Sequence, residues 1–163
     1  MIELRKVDAS NLWEIVGLKV APEQARFVAS NETSILEAYA CNASGGTALP
    51  FGVYADGVAV GFVMIGYGCE DWPEAPKVAR GRYSLWRFMI DRRYQRRGCG
   101  RAALEAVLAY LKTFPCGASD GCWLSYEPEN DAARRLYQSF GFAETGEMDG
   151  NELIALLKWG EQE

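Results

Sequence analysis

An Asp-Gly step, Asp56-Gly57, lies between two apolar runs and constrains the fold more than any other feature of the sequence. The two runs are 50–55 and 58–68, and both are rich in Val, Phe and Tyr. Asp-Gly between apolar runs is a strong short-range signal for a two-residue β-hairpin turn, because Gly readily adopts a positive φ angle. A hairpin makes its two strands antiparallel, so the sheet of this chain cannot be wholly parallel.

The remaining segments predict helices, further strands and a second hairpin through Asp149-Gly150. The order is strand, helices, three strands, helix, strand, helix and two strands. The segments are 2–7, 12–16, 21–30, 34–41, 50–55, 58–68, 82–91, 100–113, 122–127, 130–141, 142–149 and 151–159. Asn130 is predicted to cap the last helix and Gly141 to end it. This order predicts a single α/β (α+β) domain over 1–163, with a mixed, largely antiparallel sheet of about seven strands flanked by about four to five helices.

The sequence contains no histidine, and this absence excludes several catalytic classes. A Ser-His or Cys-His nucleophilic pair cannot form, and zinc cannot be bound through imidazole. The five cysteines include no close C-x-x-C pair, so we expect small, mostly buried residues and no metal site. Any proton transfer must therefore use carboxylates, Tyr, Cys, Lys, the backbone or water.

The net charge of −5 comes from 17 basic and 22 acidic side chains. Because phosphate contacts supply most of the affinity for nucleic acid, an acidic chain is not expected to bind it, whereas a cationic substrate is compatible with the charge. No apolar run approaches about 18 residues, the length of a membrane span, and the N-terminus has no signal-peptide core. We therefore expect a cytoplasmic protein with no membrane partner.

Basic charge is concentrated in one short stretch that joins an apolar strand to an Ala- and Leu-rich helix. Six arginines fall within 15 residues: Arg87, Arg92, Arg93, Arg96, Arg97 and Arg101. Gly98 and Gly100 lie where the helix is predicted to begin, and glycine lets the backbone approach a ligand closely. The free N–H groups and positive dipole end of a helix's first turn make an anion site. A specific anion site and a solvated charged turn both remain open at this point.

Three anion-binding motifs can be compared with this turn. A P-loop requires G-x-x-x-x-G-K followed by Ser or Thr, and no such run occurs. Gly98, Gly100 and Ala103 match the dinucleotide-binding pattern G-x-G-x-x-G/A, but that motif needs an acidic residue at the end of the next strand. Asp120 has a suitable spacing but precedes that strand, and the turn comes too late in the chain for a full doubly wound sheet. The pyrophosphate of an acyl-CoA is the third candidate.

Two segments carry a resemblance to a known family. The stretch RFMIDRRYQRRGCGRAAL resembles the acetyl-CoA-binding signature of the GNAT N-acetyltransferase superfamily, with Gln95, Gly98 and Gly100 at its fixed positions. The later stretch YEPENDAARRLYQSFGF resembles the family's N-x-x-A-x-x-L/F-Y-x-x-x-G-F element. Its matching residues are Asn130, Ala133, Tyr137, Gly141 and Phe142. The stretches 18–40 and 85–95 look most like those of the bacterial spermine/spermidine (diamine) acetyltransferases.

The resemblance implies a GNAT fold and transfer of acetyl from acetyl-CoA to an amine by direct attack within a ternary complex. It implies that Tyr137 is the general acid that protonates the departing CoA thiolate. By pattern alone, Tyr137 belongs to an apolar helical stripe, which is typical of a core position. The expected cofactor contacts are Phe88, Met89, Ile90, Gln95, Arg96, Arg97, Gly98, Cys99, Gly100, Arg101, Asn130, Ala133 and Tyr137.

The general base and the amine site are indicated by fewer residues. Some relatives place a Glu on the strand that leads into the motif, but Trp86 and Arg87 occupy those positions here. Glu127 is one substitute, and an ordered chain of water is another. Acidic and aromatic side chains attract cations. The expected substrate contacts are therefore Glu23, Glu32, Trp72 and Trp86, with Glu70, Asp71 and Glu74 as further candidates.

The resemblance to polyamine acetyltransferases implies a small-molecule amine substrate, spermidine or spermine in kind. One alternative is an acetyltransferase for another amine, such as a peptide N-terminus, an amino acid or an antibiotic. An alternative from another class is a non-catalytic sensor that binds acyl-CoA. Because relatives of this kind are commonly dimers, a homodimer is one expected assembly.

Overall fold

The computed structural model describes residues 1–68 and 74–160. Within these residues the chain forms seven strands and four α-helices. The strands are β1 (Ile2–Lys6), β2 (Thr47–Ala55), β3 (Val58–Tyr67), β4 (Tyr83–Ile90), β5 (Gly121–Tyr126), β6 (Ala143–Asp149) and β7 (Glu152–Lys158). The helices are α1 (Leu12–Val16), α2 (Asn31–Ala43), α3 (Cys99–Leu111) and α4 (Asp131–Ser139), with 3₁₀ turns at Pro22–Gln24 and Lys77–Ala79.

The seven strands form one sheet in the order β1-β2-β3-β4-β5-β7-β6. Every neighbouring pair is antiparallel except β4 and β5. That parallel pair is joined only where both strands begin, through Tyr83 with Cys122 and Ser84 with Trp123. Beyond those residues the two strands no longer pair, and a cleft lies between them. The prediction of a mixed, largely antiparallel sheet is confirmed.

Both predicted hairpins are present. β2 turns into β3 through Asp56 and Gly57, whose φ angles are 49° and 82°, the two positive values that a type I′ turn needs. The second hairpin turns at Gly150 and Asn151, one residue later than predicted, with the positive φ of 57° at Gly150.

One predicted helix, over 21–30, is wrong. Only Pro22–Gln24 is helical there, as a 3₁₀ turn, and α2 starts at Asn31, three residues before the predicted helix over 34–41. Ser30 explains this start, because its Oγ accepts a hydrogen bond from the Thr33 N–H at 3.1 Å and so caps the helix. The rest of the segment is irregular and lines the same cleft as β4.

Helices cover both faces of the sheet. Phe62 and Met64 belong to the core under α1 and α2, and Val63 and Ile65 belong to the core under α3 and α4. These four consecutive residues of β3 have 0% exposure. A strand that is apolar at every position therefore suits a central place in the sheet, where both faces are buried.

The described part of the chain holds four free cysteines, which are buried or half-buried: Cys41, Cys99, Cys116 and Cys122. They behave as small residues of the core and its margins. In the same part of the chain, no helix has the length and apolar character needed to cross a membrane.

Candidate active site

The cleft between β4 and β5 has a volume of about 940 Å³. One wall is β4 from Ser84 to Ile90, with the irregular segment 24–29 beside it. The opposite wall is 123–127 together with residues of α4 and of the β6–β7 hairpin. The turn that leads into α3 lies at one end. Ligand sites commonly occur in such places, where two strands of a sheet separate.

β4 carries a β-bulge within this cleft. The register between β3 and β4 shifts between Met64 and Ile65, which makes Trp86 the inserted residue. A bulge redirects side chains and commonly lies beside an active site. Trp86, Arg87 and Phe88 are half-buried and line the cleft. The bulge therefore brings three large side chains of one strand into contact with the same space.

The turn between β4 and α3 has a backbone suited to an anion. Arg96 and Gly98 both adopt left-handed φ angles, 60° and 81°. Turns with such residues can gather neighbouring N–H groups into a concave nest. Gly98 directly precedes α3, and no acidic side chain lies in the first turn of α3, where it would compete with a bound anion. These features favour an anion site over a merely solvated turn.

Most of the residues expected to contact the cofactor line the cleft: Phe88, Met89, Ile90, Gln95, Arg96, Gly100, Asn130, Ala133 and Tyr137. Arg97, Gly98, Cys99 and Arg101 lie outside its lining. Arg101 donates from Nη2 to Ser139 Oγ at 2.8 Å and lies over the Phe140 ring, so it joins α3 to α4.

Gln95 connects three parts of the site. Its Nε2 donates to the carbonyl oxygen of Ile90, at the end of β4, at 2.9 Å. The same nitrogen donates at 2.8 Å to Oε1 of Gln24, the last residue of the 3₁₀ turn. Gln95 therefore holds the turn against both neighbours while it lines the cleft.

Asp91 is a residue that the sequence did not single out. It is 2% exposed, directly after β4, and its carboxylate accepts hydrogen bonds from the N–H groups of Lys19 and Arg93, both at 2.9 Å. Nε of Arg93 donates to it at 2.8 Å. Burial acts to raise the pKa of this carboxyl, but the bonds from Arg93 and Lys19 outweigh burial and lower it. Asp91 therefore holds the segment after α1 and the start of the turn to the end of β4.

Asp91→Asn is expected to lower the free energy of unfolding near pH 7 by about 2 kcal/mol, because charge-assisted hydrogen bonds are lost from a buried site. A carboxyl whose folded pKa is lowered stabilises the fold above its unfolded pKa, and this contribution is lost as the pH falls through the folded pKa. The difference between wild type and variant should therefore shrink below about pH 4. Urea denaturation at a series of pH values measures it.

Asp56→Asn is the matched control, because the Asp56 carboxylate pairs with the N-terminal amine at an 85% exposed position. Its removal should cost well under about 1 kcal/mol. A loss at Asp91 that is as large at low pH as at pH 7 would contradict the role given to its charge.

Tyr137 is the buried residue of α4, with 8% exposure, and it lines the cleft. Its ring packs between those of Tyr126 and Phe142, with centroids 5.9 and 5.8 Å away. Burial, with smaller contributions from Cys122 and Tyr126, raises its pKa well above the ordinary value. The phenol therefore carries its proton at neutral pH. Tyr137 thus has both the core position that the apolar stripe predicts and access to the cleft.

Asn130 caps α4, as predicted, because its Oδ1 accepts a hydrogen bond from the Ala133 N–H at 3.4 Å. Gly141, with a φ of 96°, follows the helix end. Cap and stop therefore determine where α4 begins and ends.

The wall formed by β5 and the β6–β7 hairpin is acidic. Trp123, Ser125 and Glu127 alternate along the chain, so their side chains share one face, and all three line the cleft. Glu152 of β7 joins them, since Ser125 Oγ donates to its Oε2 at 2.7 Å. Asp149, at the end of β6, also lines the cleft. Glu152 and Asp149 were not predicted from the sequence, because they reach the cleft only through the pairing of β5 with β7.

Some of the residues expected to bind substrate line the cleft and others do not. Trp86 lines the cleft, and so does Glu74. Glu23 and Glu32 are exposed and lie outside its lining. Glu32 is in the first turn of α2, where the helix dipole favours a carboxylate, and Glu23 is in the 3₁₀ turn. Trp72 lies outside the described residues, as do Glu70 and Asp71.

Arg87 brings a positive charge to the cleft, and a carboxylate offsets it. Nη2 of Arg87 lies 2.8 Å from Oε2 of Glu37, on α2. Nη1 also donates to the carbonyl oxygen of Trp86 at 3.1 Å. Two of its three nitrogens are therefore paired, and Glu37 offsets the charge, so Arg87 opposes a cationic ligand less than an unpaired charge would.

The sequence is similar to those of known acetyltransferases. Residues 18–142 match the sequence model of the acetyltransferase (GNAT) family. The chain belongs to the GNAT acetyltransferase family. A spermine/spermidine N(1)-acetyltransferase of Bacillus subtilis (strain 168) is 34% identical over 158 residues, which cover 96% of this chain and 97% of the relative. The resemblance found in the sequence motifs is confirmed.

Solved structures of the GNAT family share the fold. PaiA N-acetyltransferase from Thermoplasma acidophilum, in complex with coenzyme A, has a TM-score of 0.63 at 18% identity and covers 98% of this chain and 99% of its own. The aminoglycoside acetyltransferase AAC(6')-Ib, also in complex with coenzyme A, has a TM-score of 0.76 at 15% identity and covers 97% and 95%. The predicted GNAT fold is therefore confirmed.

Proposed function

We propose that this GNAT acetyltransferase transfers the acetyl group of acetyl-CoA to a primary amine of a small polyamine, spermidine or spermine in kind. The amine attacks directly, within a ternary complex. The observation that carries the proposal is the cleft between β4 and β5, because an anion-binding turn, a buried protonated tyrosine and an acidic wall surround one space of about 940 Å³. Each of these three features serves a different part of the reaction.

The turn before α3 suits the pyrophosphate of coenzyme A. Backbone N–H groups from 96 to 101 and the Arg96 side chain would hold it, at the positive end of a 13-residue helix. Gly100 supports this assignment, because a Cβ built there would contact Ile90 and Leu136 at 3.8 and 4.0 Å and extend into the cleft that they line. Glycine keeps that surface open to a ligand.

The free edge of β4 suits the pantetheine arm. β4 pairs with β5 only through Tyr83 and Ser84, so the backbone from Leu85 to Ile90 has no strand on that side. An extended ligand can pair with such an edge as an added strand does. A backbone N–H near the bulge at Trp86 would then stabilise negative charge on the thioester carbonyl oxygen.

Tyr137 is the general acid of the proposal. Acetyl-CoA supplies an acetyl thioester, and the amine nitrogen bonds to its carbonyl carbon as the carbon–sulfur bond breaks. Tyr137 donates its phenolic proton to the departing sulfur. A pKa raised by burial keeps that proton available at neutral pH, and within the described residues the hydroxyl makes no hydrogen bond that would restrain it.

Glu127 is the proposed base that takes the proton from the attacking amine. It follows β5 directly, is half-buried and lines the cleft with Tyr137. An ordered chain of water in place of Glu127 is the alternative.

The acidic wall supports a polyamine as the acceptor. Glu127, Glu152, Asp149 and Glu74 line the cleft, and their carboxylates can pair with ammonium groups spaced along one chain. Trp86 and Trp123 add aromatic faces, which attract cations. The name of the Bacillus subtilis relative, a spermine/spermidine N(1)-acetyltransferase, agrees with this substrate class.

The proposal also covers the organisation and location of the protein. It takes the chain as one domain over 1–163, cytoplasmic and without nucleic-acid or membrane partners, with a homodimer as one assembly.

Release of CoA thiol from acetyl-CoA across a panel of amines tests the function. Spermidine and spermine are expected to exceed amino acids and aminoglycosides in kcat/KM by at least about tenfold, because amino acids carry fewer ammonium groups and aminoglycosides carry theirs on rings rather than along one extended chain. Putrescine, with fewer ammonium groups, should fall between them. Turnover with another amine and not with polyamines would contradict the proposed substrate class. Binding of CoA without turnover of any amine would support a sensor.

The acidic wall is tested in the same assay by Glu152→Gln, which should raise the KM for spermidine about tenfold and leave the KM for acetyl-CoA unchanged. Glu105→Gln is the matched control, because Glu105 is exposed on α3 and lies outside the lining of the cleft. Equal effects of both substitutions would remove the acidic wall from the proposal.

A further inference from the structure

A closed circuit of contacts joins α4, β6 and β5 at the side of the cleft lined by Tyr126 and Tyr137. Arg134 of α4 pairs with Glu144 of β6, with Nε 2.7 Å from Oε1 and Nη2 3.0 Å from Oε2. The hydroxyl of Tyr126, on β5, donates to Oε1 of the same carboxylate at 2.7 Å. The Tyr126 ring then stacks on that of Tyr137, with 27° between the planes and 5.9 Å between centroids. Because Tyr137 is on the same helix as Arg134, the circuit closes on α4.

The circuit adds to the other contacts that hold α4, among them the bond from Arg101 to Ser139. This helix has nine residues, and Tyr137 is its buried side chain. β6, which holds Glu144, is exposed at every position and forms the edge of the sheet. The Glu144 side chain is nevertheless held by Arg134 and Tyr126, and its backbone pairs with Ala155 of β7.

We propose that Glu144 is a positioning residue for the acid step: by holding the Tyr126 hydroxyl and Arg134 together, it fixes the Tyr126 ring on which Tyr137 stacks and so fixes where the Tyr137 hydroxyl lies in the cleft. This inference rests on the proposed role of Tyr137. Tyr126 and Glu144 act through Tyr137 and need no contact with the reacting atoms.

The state of Tyr126 agrees with this role. It is 4% exposed, and burial, followed by its bond to Glu144, raises its pKa to about 12. It therefore remains a hydrogen-bond donor to Glu144 throughout the range in which an acetyltransferase would be assayed. The hydrogen bond from Tyr126, followed by that from Arg134, lowers the pKa of Glu144, so the acceptor remains a carboxylate.

A double-mutant cycle distinguishes positioning from general support of the fold. Tyr126→Phe and Glu144→Ala should each lower kcat about tenfold with the KM for acetyl-CoA within about twofold, since misplacement of a catalytic group costs rate rather than cofactor affinity. In a Tyr137→Phe background, where there is no acid to position, the same substitutions should change kcat less than about twofold. The readout is CoA-thiol release with spermidine. Tyr126→Phe keeps the stacked ring, so it completes the cycle even where Glu144→Ala does not fold.

Tyr67→Phe is the control, because it also removes a tyrosine hydroxyl bond, to the Ala118 carbonyl at 2.9 Å, beneath a ring contact with Tyr83. It should leave kcat unchanged in both backgrounds. Equal effects of Tyr126→Phe with and without the Tyr137 hydroxyl would overturn the positioning role while leaving the enzyme's function intact. Unaltered turnover in Tyr137→Phe alone would instead overturn the acid role on which this inference rests.

Discussion

Tyr137→Phe is expected to lower kcat about 100-fold and to leave the KM for acetyl-CoA within about twofold. The substitution removes one oxygen and keeps the ring that packs between Tyr126 and Phe142, so the fold around it should survive. Without the phenolic proton, the sulfur must leave as an unprotonated thiolate. This raises the free energy of the transition state and leaves the binding of acetyl-CoA unchanged. Steady-state release of CoA thiol, with the Kd for CoA by calorimetry, separates the two effects.

The pH dependence of kcat gives a second reading of the same residue. Because burial raises the pKa of Tyr137 above the value of about 10 for a free tyrosine, the group keeps its proton to a higher pH than usual. Loss of kcat through its ionisation should therefore begin only above about pH 10 in the wild type. A fall that starts near neutrality and disappears in Tyr137→Phe would be the opposite of this expectation.

Tyr110→Phe is the control for Tyr137→Phe. Tyr110 is a half-buried tyrosine of α3 that packs edge-on to Phe51 and lies outside the cleft. It should leave kcat unchanged. If Tyr137→Phe lowered kcat and cofactor affinity equally, Tyr137 would be a packing residue, as the apolar stripe alone suggests.

The parts of this fold that are predictable from sequence are those set by local backbone chemistry. Asp56-Gly57 forms its turn because Asp and Gly adopt positive φ angles at a low cost in conformational free energy. Asn130 caps α4 because its side chain reaches the Ala133 N–H. The segment 21–30 was predicted wrongly as a helix for a related reason. Its composition suits a helix, but Ser30 caps the helix that follows, and the segment instead lines the cleft.

The candidate site was less predictable where it depends on pairing between distant strands. Trp86 could be named, but the bulge that makes it the inserted residue exists only in the register of β3 and β4. Glu152 reaches the cleft through the pairing of β5 with β7, which no short pattern encodes. Asp91 looked like an ordinary strand end, and its role depends on a partner 72 positions away, the N–H of Lys19.

Gly98→Val is expected to weaken binding of CoA about 10- to 100-fold, through the backbone rather than by direct obstruction. No atom lies within 4 Å of a Cβ built at Gly98, and the residue lies outside the lining of the cleft, so a valine side chain has room. Its φ of 81°, however, is a conformation that a β-branched residue adopts only at a cost of about 1–3 kcal/mol. Relaxation of that strain would rotate the N–H groups that start α3 away from the anion.

Gly45→Val is the matched control for this effect. Gly45 has a φ of 87° with no atom within 4 Å of a built Cβ, and it lies in the loop between α2 and β2, outside the cleft. Both substitutions should therefore lower the free energy of unfolding by a similar amount, about 1–3 kcal/mol. Only Gly98→Val should raise the Kd for CoA in calorimetry, because only there does the left-handed residue direct N–H groups towards a ligand. An unchanged Kd in Gly98→Val, at equal loss of stability, would mean that the anion is held by the arginine side chains and not by the turn.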